Sequence, residues 1–275
     1  MKLVRNSVAL SICAGLGGLL AMTPAFSGVL LASDNFNTYA ASSLNGKNGG
    51  TGWGGAWVDA NPVNANVLTV GGPDAPMTGN GVRFTGNSDA AATRTLATAL
   101  NGNIIVNFDF QFDAGTISNN DFMGLWFGNS TGPNIGLKAN CGGVTGCTAD
   151  IFARTSGSDA GGSFQNITLG TSYSVMGYLQ KTGTSVVYNR FDLWVNPTAS
   201  EIATLTGSDA FDTGVSSISS FNMVGFRTAN LSITSTADAL LVDNLTLNRV
   251  PEPGTLALVG LALAGIGAML RRRKL

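Results

Sequence analysis

The strongest constraint on the fold is a ten-residue alternation of side-chain type at Ile104–Asp113. Large apolar residues occupy positions 104, 106, 108, 110 and 112, and the intervening positions are mainly polar. Successive side chains of a β-strand point to opposite faces, so a period of two marks a strand with one buried face. An α-helix would scatter the same residues around its axis, and we therefore predict a strand here.

Similar runs recur from about residue 65 to 249, separated by Gly, Asn, Ser and Asp, which favour turns. No segment combines an apolar helical stripe with capping residues. Many short strands joined by polar turns indicate an all-β sandwich or barrel, of which we favour the sandwich. The further runs are 81–85, 122–127, 150–155, 173–181, 186–196, 221–228 and 240–249.

Composition excludes several function classes. The chain contains no histidine, which removes the usual general base, the usual zinc ligand and every Ser-His or Cys-His pair. Residues 28–250 hold nine basic and fifteen acidic side chains, a net charge of −6. Nucleic-acid binding needs clustered Lys and Arg, so we predict no nucleic-acid partner.

Carboxylates are candidate catalytic groups, because sugar-cleaving enzymes commonly place two acids across the substrate. Asp109 and Asp113 share a strand face but are four residues apart, roughly 13 Å, and we interpret them as solvated surface groups. Glu201 follows a proline in an expected loop, and Glu252 lies in the C-terminal tail. These patterns predict no catalytic residues and a protein that is not an enzyme.

A carbohydrate-binding face is the alternative at Asp192, Trp194 and Asn196, which alternate along one expected strand. An indole can stack on a sugar ring while neighbouring polar groups bind its hydroxyls. The same tryptophan could instead pack under a loop in a sheet buried on both faces. No metal site is predicted, although oxygen ligands at Asp34 and Asp243 leave Ca²⁺ open as a cofactor.

The N-terminus has the pattern of an export signal. Lys2 and Arg5 precede an apolar stretch from 8 to 22, and Ala25 and Ser27 place small residues where signal peptidase reads. We predict a signal peptide at 1–27 that the export machinery and signal peptidase handle. A permanent anchor is the alternative, but the stretch is short for a spanning helix.

The cysteines fit an exported chain. Cys13 would leave with the signal peptide, so Cys141 and Cys147 remain as an even pair. In an oxidising compartment such a pair favours a disulfide over free thiols.

The C-terminus combines three elements. Pro251-Glu252-Pro253 is held extended by its prolines, and residues 254–270 are uncharged, enough for a helix of roughly 25 Å. This predicts a single transmembrane helix whose basic end stays cytoplasmic. A plain single-pass anchor is the alternative to a processed tail. The basic end consists of Arg271, Arg272, Arg273 and Lys274.

Residues 250–275 resemble the sorting tail of the PEP-CTERM family, in which the same three elements occur in this order. The resemblance implies a Gram-negative bacterium and an exosortase, a membrane protease-transpeptidase, as partner. It also implies transient insertion in the inner membrane, then delivery to the cell surface or extracellular matrix, with links to exopolysaccharide and biofilm.

Residues 33–57, 191–197 and 241–247 resemble segments of concanavalin A-like domains. This implies a jelly-roll β-sandwich at 28–249, between the signal peptide and the tail at 250–275. Trp53 and Trp57 are interpreted as core residues. Together these patterns predict a non-catalytic surface or matrix protein. A lectin-like module is the alternative, and a glycan-active enzyme is less favoured.

Overall fold

The structure is a computed structural model that describes residues 28–59, 65–69, 79–84, 86–113, 120–139, 149–158, 161–164, 167–231 and 239–250. These residues form fifteen strands and one short helix. The elements are β1 (Val29–Asp34), β2 (Ser42–Ser43), β3 (Ala65–Thr69), β4 (Asn80–Phe84), β5 (Ser88–Leu100), β6 (Ile104–Asp113), β7 (Phe122–Phe127), β8 (Asn134–Ala139), β9 (Ala149–Arg154), β10 (Gly162–Phe164), β11 (Ser172–Gln180), β12 (Arg190–Val195), α1 (Ala199–Thr204), β13 (Ala210–Asp212), β14 (Phe221–Ala229) and β15 (Ala239–Arg249).

The described strands form two antiparallel sheets packed face to face. The larger has the order β13-β12-β11-β6-β15-β4-β3-β2, with β1 also paired to β15, and the smaller has the order β10-β9-β8-β7-β14-β5. The predicted all-β sandwich is confirmed at this level. Its assignment to the jelly-roll, concanavalin A-like group stays a prediction.

The core lies between the inner faces of the sheets. Strand β6 contributes the five apolar side chains of its alternation, and all are buried. Strand β7 is buried along its whole length, which explains why its sequence is apolar without alternating. The outer face of β6 carries its polar residues, so the alternation decides which side of the larger sheet faces outward.

Strand β15 changes neighbour halfway along. Its first part pairs with β4, with Val242 opposite Val82, and its second part pairs with β1, with Leu245 opposite Asp34. Strand β6 runs along the other edge of β15 throughout. The larger sheet therefore divides at the centre of β15.

A β-bulge marks that division. Asp243 is opposite Asp109 and Thr246 is opposite Asn107, so Asn244 and one further residue share a single partner on β6. Asn244 has a φ of 52°, in the left-handed region that asparagine tolerates better than most residues. The bulge re-aims the Asn244 side chain across the outer face of the sheet.

The two ends of the described domain lie side by side, because Val29 of β1 pairs with Arg249 of β15. Val250 is 4% exposed and packs with Ile105, Met176 and Trp194 in a small cluster on the outer face. Its backbone N–H donates to the carbonyl of Asn103 at 3.0 Å. The fold thus extends up to the residue before the Pro-Glu-Pro segment.

Several predicted features lie outside the described residues. These are the signal peptide at 1–27, the cysteine pair 141 and 147, and the tail from 251 onward. Within the described ranges no helix has the length and apolar composition needed to cross a bilayer. The predicted tail helix at 254–270 is not among those ranges, so it stays a prediction.

A buried ion pair joins the two sheets. Arg94 of β5 donates from Nη1 to Oδ2 of Asp34 in β1 at 2.5 Å, and both side chains are almost fully buried. The remaining donors of Arg94 reach the carbonyls of Gly55 and Gly49 at 2.9 and 2.7 Å and the side chain of Asn48 at 3.2 Å. The glycine-rich segment therefore wraps around the guanidinium.

Two tryptophans enclose the same group. The guanidinium carbon of Arg94 lies 4.8 Å from the ring centre of Trp53 and 5.4 Å from that of Trp57, within cation–π range. Trp57 also donates from Nε1 to Oδ2 of Asp34 at 2.8 Å. Gly52 has a φ of 78°, and a Cβ there would lie 1.8 Å from the carbonyl oxygen of Leu31. The Trp-Gly pattern is thus a structural element of the core.

Tyr39 makes the stability of this region depend on alkaline pH. Burial, together with its hydrogen bond to Asp34, raises the pKa of Tyr39 from 10.0 to about 12. The folded state therefore holds a proton that the unfolded state loses between those values, so the free energy of unfolding should fall as pH rises from 10 to 12. Denaturant titrations across this range measure the effect. Tyr39→Phe has no phenol to ionise and should show a flatter profile, whereas equal slopes would contradict the assignment.

Candidate functional site

A polar cleft lies on the outer face of the larger sheet, at the bulge of β15. It consists of two adjoining cavities of about 580 and 450 Å³ that share Asn244 and Thr246. We call this the bulge cleft. The polar residues of the larger cavity are Asn107, Asp109, Ser174, Asn196, Asn244 and Thr246, and those of the smaller include Ser33, Asn35 and Thr38.

Asp109 is the carboxylate at the centre of the cleft. Its side chain accepts hydrogen bonds from Ser174 Oγ at 2.7 Å and from Asn244 Nδ2 at 2.7 Å, one on each oxygen. It is only 8% exposed, so it is not the solvated surface group that the sequence indicated. A carboxylate offers about four acceptor sites, so two remain for a bound hydroxyl.

Asn244 links two acids. Asp243 lies opposite Asp109 in the ladder, a placement that normally destabilises a sheet because like charges repel. The backbone N–H of Asn244 donates to Oδ1 of Asp243 at 2.7 Å, while its side-chain amide donates to Asp109. The bulge therefore supplies donors to both carboxylates and fixes the orientation of Asp109.

Side-chain amides extend the polar surface to either side. Asn107 donates from Nδ2 to Thr246 Oγ1 at 3.1 Å, and Asn196 accepts from the backbone N–H of Ser174 at 2.9 Å. Half-exposed Ile202, from helix α1, adds an apolar wall. The cleft thus combines donors, acceptors and a small apolar surface.

The predicted binding residues Asp192, Trp194 and Asn196 are not brought together at this cleft. Trp194 is 1% exposed and donates from Nε1 to the carbonyl of Thr206 at 3.0 Å, so a loop covers its ring and no sugar can stack on it. Asp192 is held by Arg190 through three hydrogen bonds of 2.6, 2.9 and 3.1 Å and by Gln180. Of the three, Asn196 lines the cleft.

Sequence reasoning missed Asp109, Ser174 and Asn244 as a group. Only the register places Ser174 and Asp109 opposite each other, and only the bulge turns Asn244 towards them. The Asp-Asn pair in an otherwise apolar strand was the available signal, because both residues favour irregular backbone.

For calcium, the described part of the chain contains no group of three or more Cys, Asp or Glu residues that could hold a metal ion. Asp34 also has both oxygens occupied, by the backbone N–H of Phe36 and by donors that include Arg94. The calcium alternative gains no support from these contacts.

The fold is similar to that of a solved alginate lyase. An alginate lyase, Aly36B, matches with a TM-score of 0.50 and 16% identity over 82% of this chain and 100% of that one. A double alanine variant of this lyase, in complex with an alginate trisaccharide, matches with a TM-score of 0.50 and 14% identity over 82% and 100%. A xylan β-1,4-xylosidase from Bacillus halodurans matches with a TM-score of 0.42 and 10% identity over 79% and 39%. No curated protein sequence matches the chain.

The prediction that the protein is not an enzyme is contradicted by this comparison, because its architecture is one on which an alginate lyase is built. The missing histidine carried too much weight in that prediction, since Asp, Glu, Lys and Tyr also act as general acids and bases. Likeness at this identity establishes the fold alone, because chemistry depends on the side chains of the site.

The C-terminus matches a protein-family model. Residues 249–274 match the PEP-CTERM protein-sorting motif, which includes Pro251, Glu252 and Pro253 and the basic end. The match covers the tail and leaves the β-sandwich unassigned. By this motif the chain is an exported protein that an exosortase processes and sorts to the cell surface.

Proposed function

We propose that the β-sandwich of this exported protein binds a polysaccharide in the bulge cleft. The observation that carries the proposal is the continuous set of amides and hydroxyls around Asp109 on the outer face of the larger sheet; the other acid of the lining, Asp34, is paired with Arg94. Sugar hydroxyls donate and accept hydrogen bonds, and side-chain amides and hydroxyls offer both functions. A fold shared with an alginate lyase supports a polysaccharide as the ligand.

The dimensions of the cleft suit a chain rather than a single sugar. Its residues come from β11, β6, β15 and β1 and from the segment directly after β12, and these five strands are successive neighbours in the larger sheet. At about 4.8 Å per strand the cleft crosses roughly 19 Å. The sorting motif directs the protein to the cell surface. The polysaccharide that it would meet there is exopolysaccharide of the surface or of a biofilm matrix.

The route to the surface is part of the proposal. The signal peptide at 1–27 directs export, and the tail helix holds the chain transiently in the inner membrane until the exosortase acts. The pair Cys141 and Cys147 forms a disulfide after export.

Asp109→Ala tests the binding site. We expect affinity for a bound polysaccharide to fall about ten- to hundredfold, because a charge-assisted hydrogen bond contributes roughly 1.5–3 kcal/mol. Calorimetry on the full chain in detergent, against a panel of polysaccharides, gives the measurement. Asp89→Ala is the matched control, since Asp89 is 72% exposed and belongs to the smaller sheet. Equal affinities for Asp109→Ala and the wild type would contradict the site.

Glycan cleavage is the second candidate function. The specific observation is that Ser174 and Asn244 hold the Asp109 carboxylate in one orientation, as a general acid or base requires. Release of reducing ends, and ultraviolet absorbance of unsaturated ends, distinguish hydrolysis from elimination. We expect Asp109→Asn to abolish either activity, and undiminished cleavage by this variant would remove Asp109 from the mechanism.

A further inference from the structure

The bulge cleft contains no basic residue. All nine Lys and Arg residues of 28–250 fall within the described ranges, so none is hidden in the remainder of that domain. None of them lines either cavity. The absence of Lys and Arg from the lining disfavours carboxylated ligands, because sites that bind such ligands use Arg or Lys to pair with the anionic group.

Five of the nine basic residues are held in ion pairs or belong to strands of the smaller sheet. Arg94 is buried against Asp34, Arg190 is paired with Asp192, and Arg227 is paired with Asp89 on the smaller sheet. Lys138 and Arg154 also belong to strands of the smaller sheet. Movement of a side chain within the cleft would therefore not bring these charges to a ligand.

Two basic residues share the outer face of the larger sheet with the cleft, and both are distant in the register. Arg83 lies two strands and two residues from Asp109, roughly 12 Å between Cα atoms. Arg190 lies two strands and six residues away, roughly 22 Å. Neither residue lines either cavity of the cleft.

The charge present in the cleft is negative. Asp109 is at its centre, and both of its oxygens accept hydrogen bonds from neutral donors, Ser174 and Asn244, that do not cancel the charge. A carboxylated sugar placed on this surface would meet a like charge in a partly dehydrated site, where screening is weak. A neutral sugar would instead offer hydroxyl donors to the free acceptor sites of Asp109.

We propose that the bulge cleft selects neutral, hydroxyl-rich glycans and discriminates against polyuronates. The inference rests on the proposed function of the cleft and names its ligand class. It separates this protein from the alginate lyase of similar fold, because alginate carries a carboxylate on each sugar. Shared architecture is compatible with this difference, since specificity depends on the side chains of the cleft.

The test compares matched pairs of oligosaccharides that share linkage and length and differ only in oxidation at C6, such as cello-oligosaccharide and its uronate form. Calorimetry uses the full chain in detergent at low and high salt. We expect the neutral member of a pair to bind at least tenfold more tightly, and the preference to shrink as salt screens the repulsion. Asp109→Asn should reduce the preference severalfold, because the variant keeps the shape of the side chain and loses its charge.

The outcomes separate the two claims. Uronate binding equal to or tighter than neutral binding, reduced by Asp109→Ala, would overturn the ligand class and leave the cleft as a glycan site. Absence of binding to both members across several linkages would overturn the proposed function, and the ligand class with it. A preference that Asp109→Asn leaves unchanged would show that Asp109 is not its source.

Discussion

Asp34→Ala is expected to lower the free energy of unfolding by about 3–5 kcal/mol, because it leaves the Arg94 guanidinium buried without its counter-charge. Asp34 also accepts hydrogen bonds from Tyr39 at 2.6 Å and from Trp57 at 2.8 Å, so two further buried donors lose their partner. A loss of this size is a large part of the 5–15 kcal/mol that stabilises a typical domain.

Denaturant unfolding followed by tryptophan fluorescence measures this loss. The matched controls are Asp89→Ala, whose exposed ion pair contributes little, and the double replacement of Asp34 by Leu and Arg94 by Met. The double variant should be more stable than Asp34→Ala, because it removes both charges together. Wild-type stability in Asp34→Ala would show that the pair does not hold the sheets together.

The strands with large apolar side chains were predictable, because such side chains are usually buried. Strand β6 alternates and strand β14 carries large apolar residues, so both were found from sequence. Strand β5 was not, although it is the longest, because it is built mainly of Ala and Thr and packs through small residues such as Ala91 and Ala92. Periodicity arguments depend on large apolar side chains, and this strand has few.

Helix α1 was also not predicted from the sequence. It has no buried residue, so it shows no apolar stripe, and its signal is the capping box in which Thr198 and Glu201 bond each other's backbone N–H groups. The expectation of no helix in the middle of the chain considered only apolar stripes with caps. A short surface helix has to be recognised from its capping residues alone.

The candidate site was predictable only in part. The alternation correctly placed Asp109 on the outer face of a strand, but exposure on that face depends on neighbours that sequence does not reveal. Ser174 and Asn244 reach Asp109 through register and a bulge, and the ring of Trp194 is covered through a loop. These are long-range contacts, whereas Asp192, Trp194 and Asn196 were grouped by local spacing.

The second large expected effect is loss of tail removal when the Pro-Glu-Pro motif is replaced. Replacing Pro251, Glu252 and Pro253 together by Ala should leave the tail attached, an all-or-none change in processing. Val250 is buried and bonded to the carbonyl of Asn103, so the motif begins directly after a residue that the domain holds. The Pro-Glu-Pro motif therefore begins at the residue that directly follows the β-sandwich. Immunoblots for a C-terminal epitope, in hosts with and without the exosortase, follow tail removal.

Two controls separate recognition of the motif from access to it. Inserting a short Gly-Ser spacer after Val250 keeps the motif and relieves crowding by the domain, so tail removal should be at least as fast as in the wild type. Replacing Arg271, Arg272 and Arg273 by Ser should instead disturb membrane orientation, because those charges hold the cytoplasmic end. If the triple Ala variant is processed and delivered as well as the wild type, Pro-Glu-Pro is not the recognised element. If the wild-type tail also stays attached in both hosts, the segment is an ordinary membrane anchor.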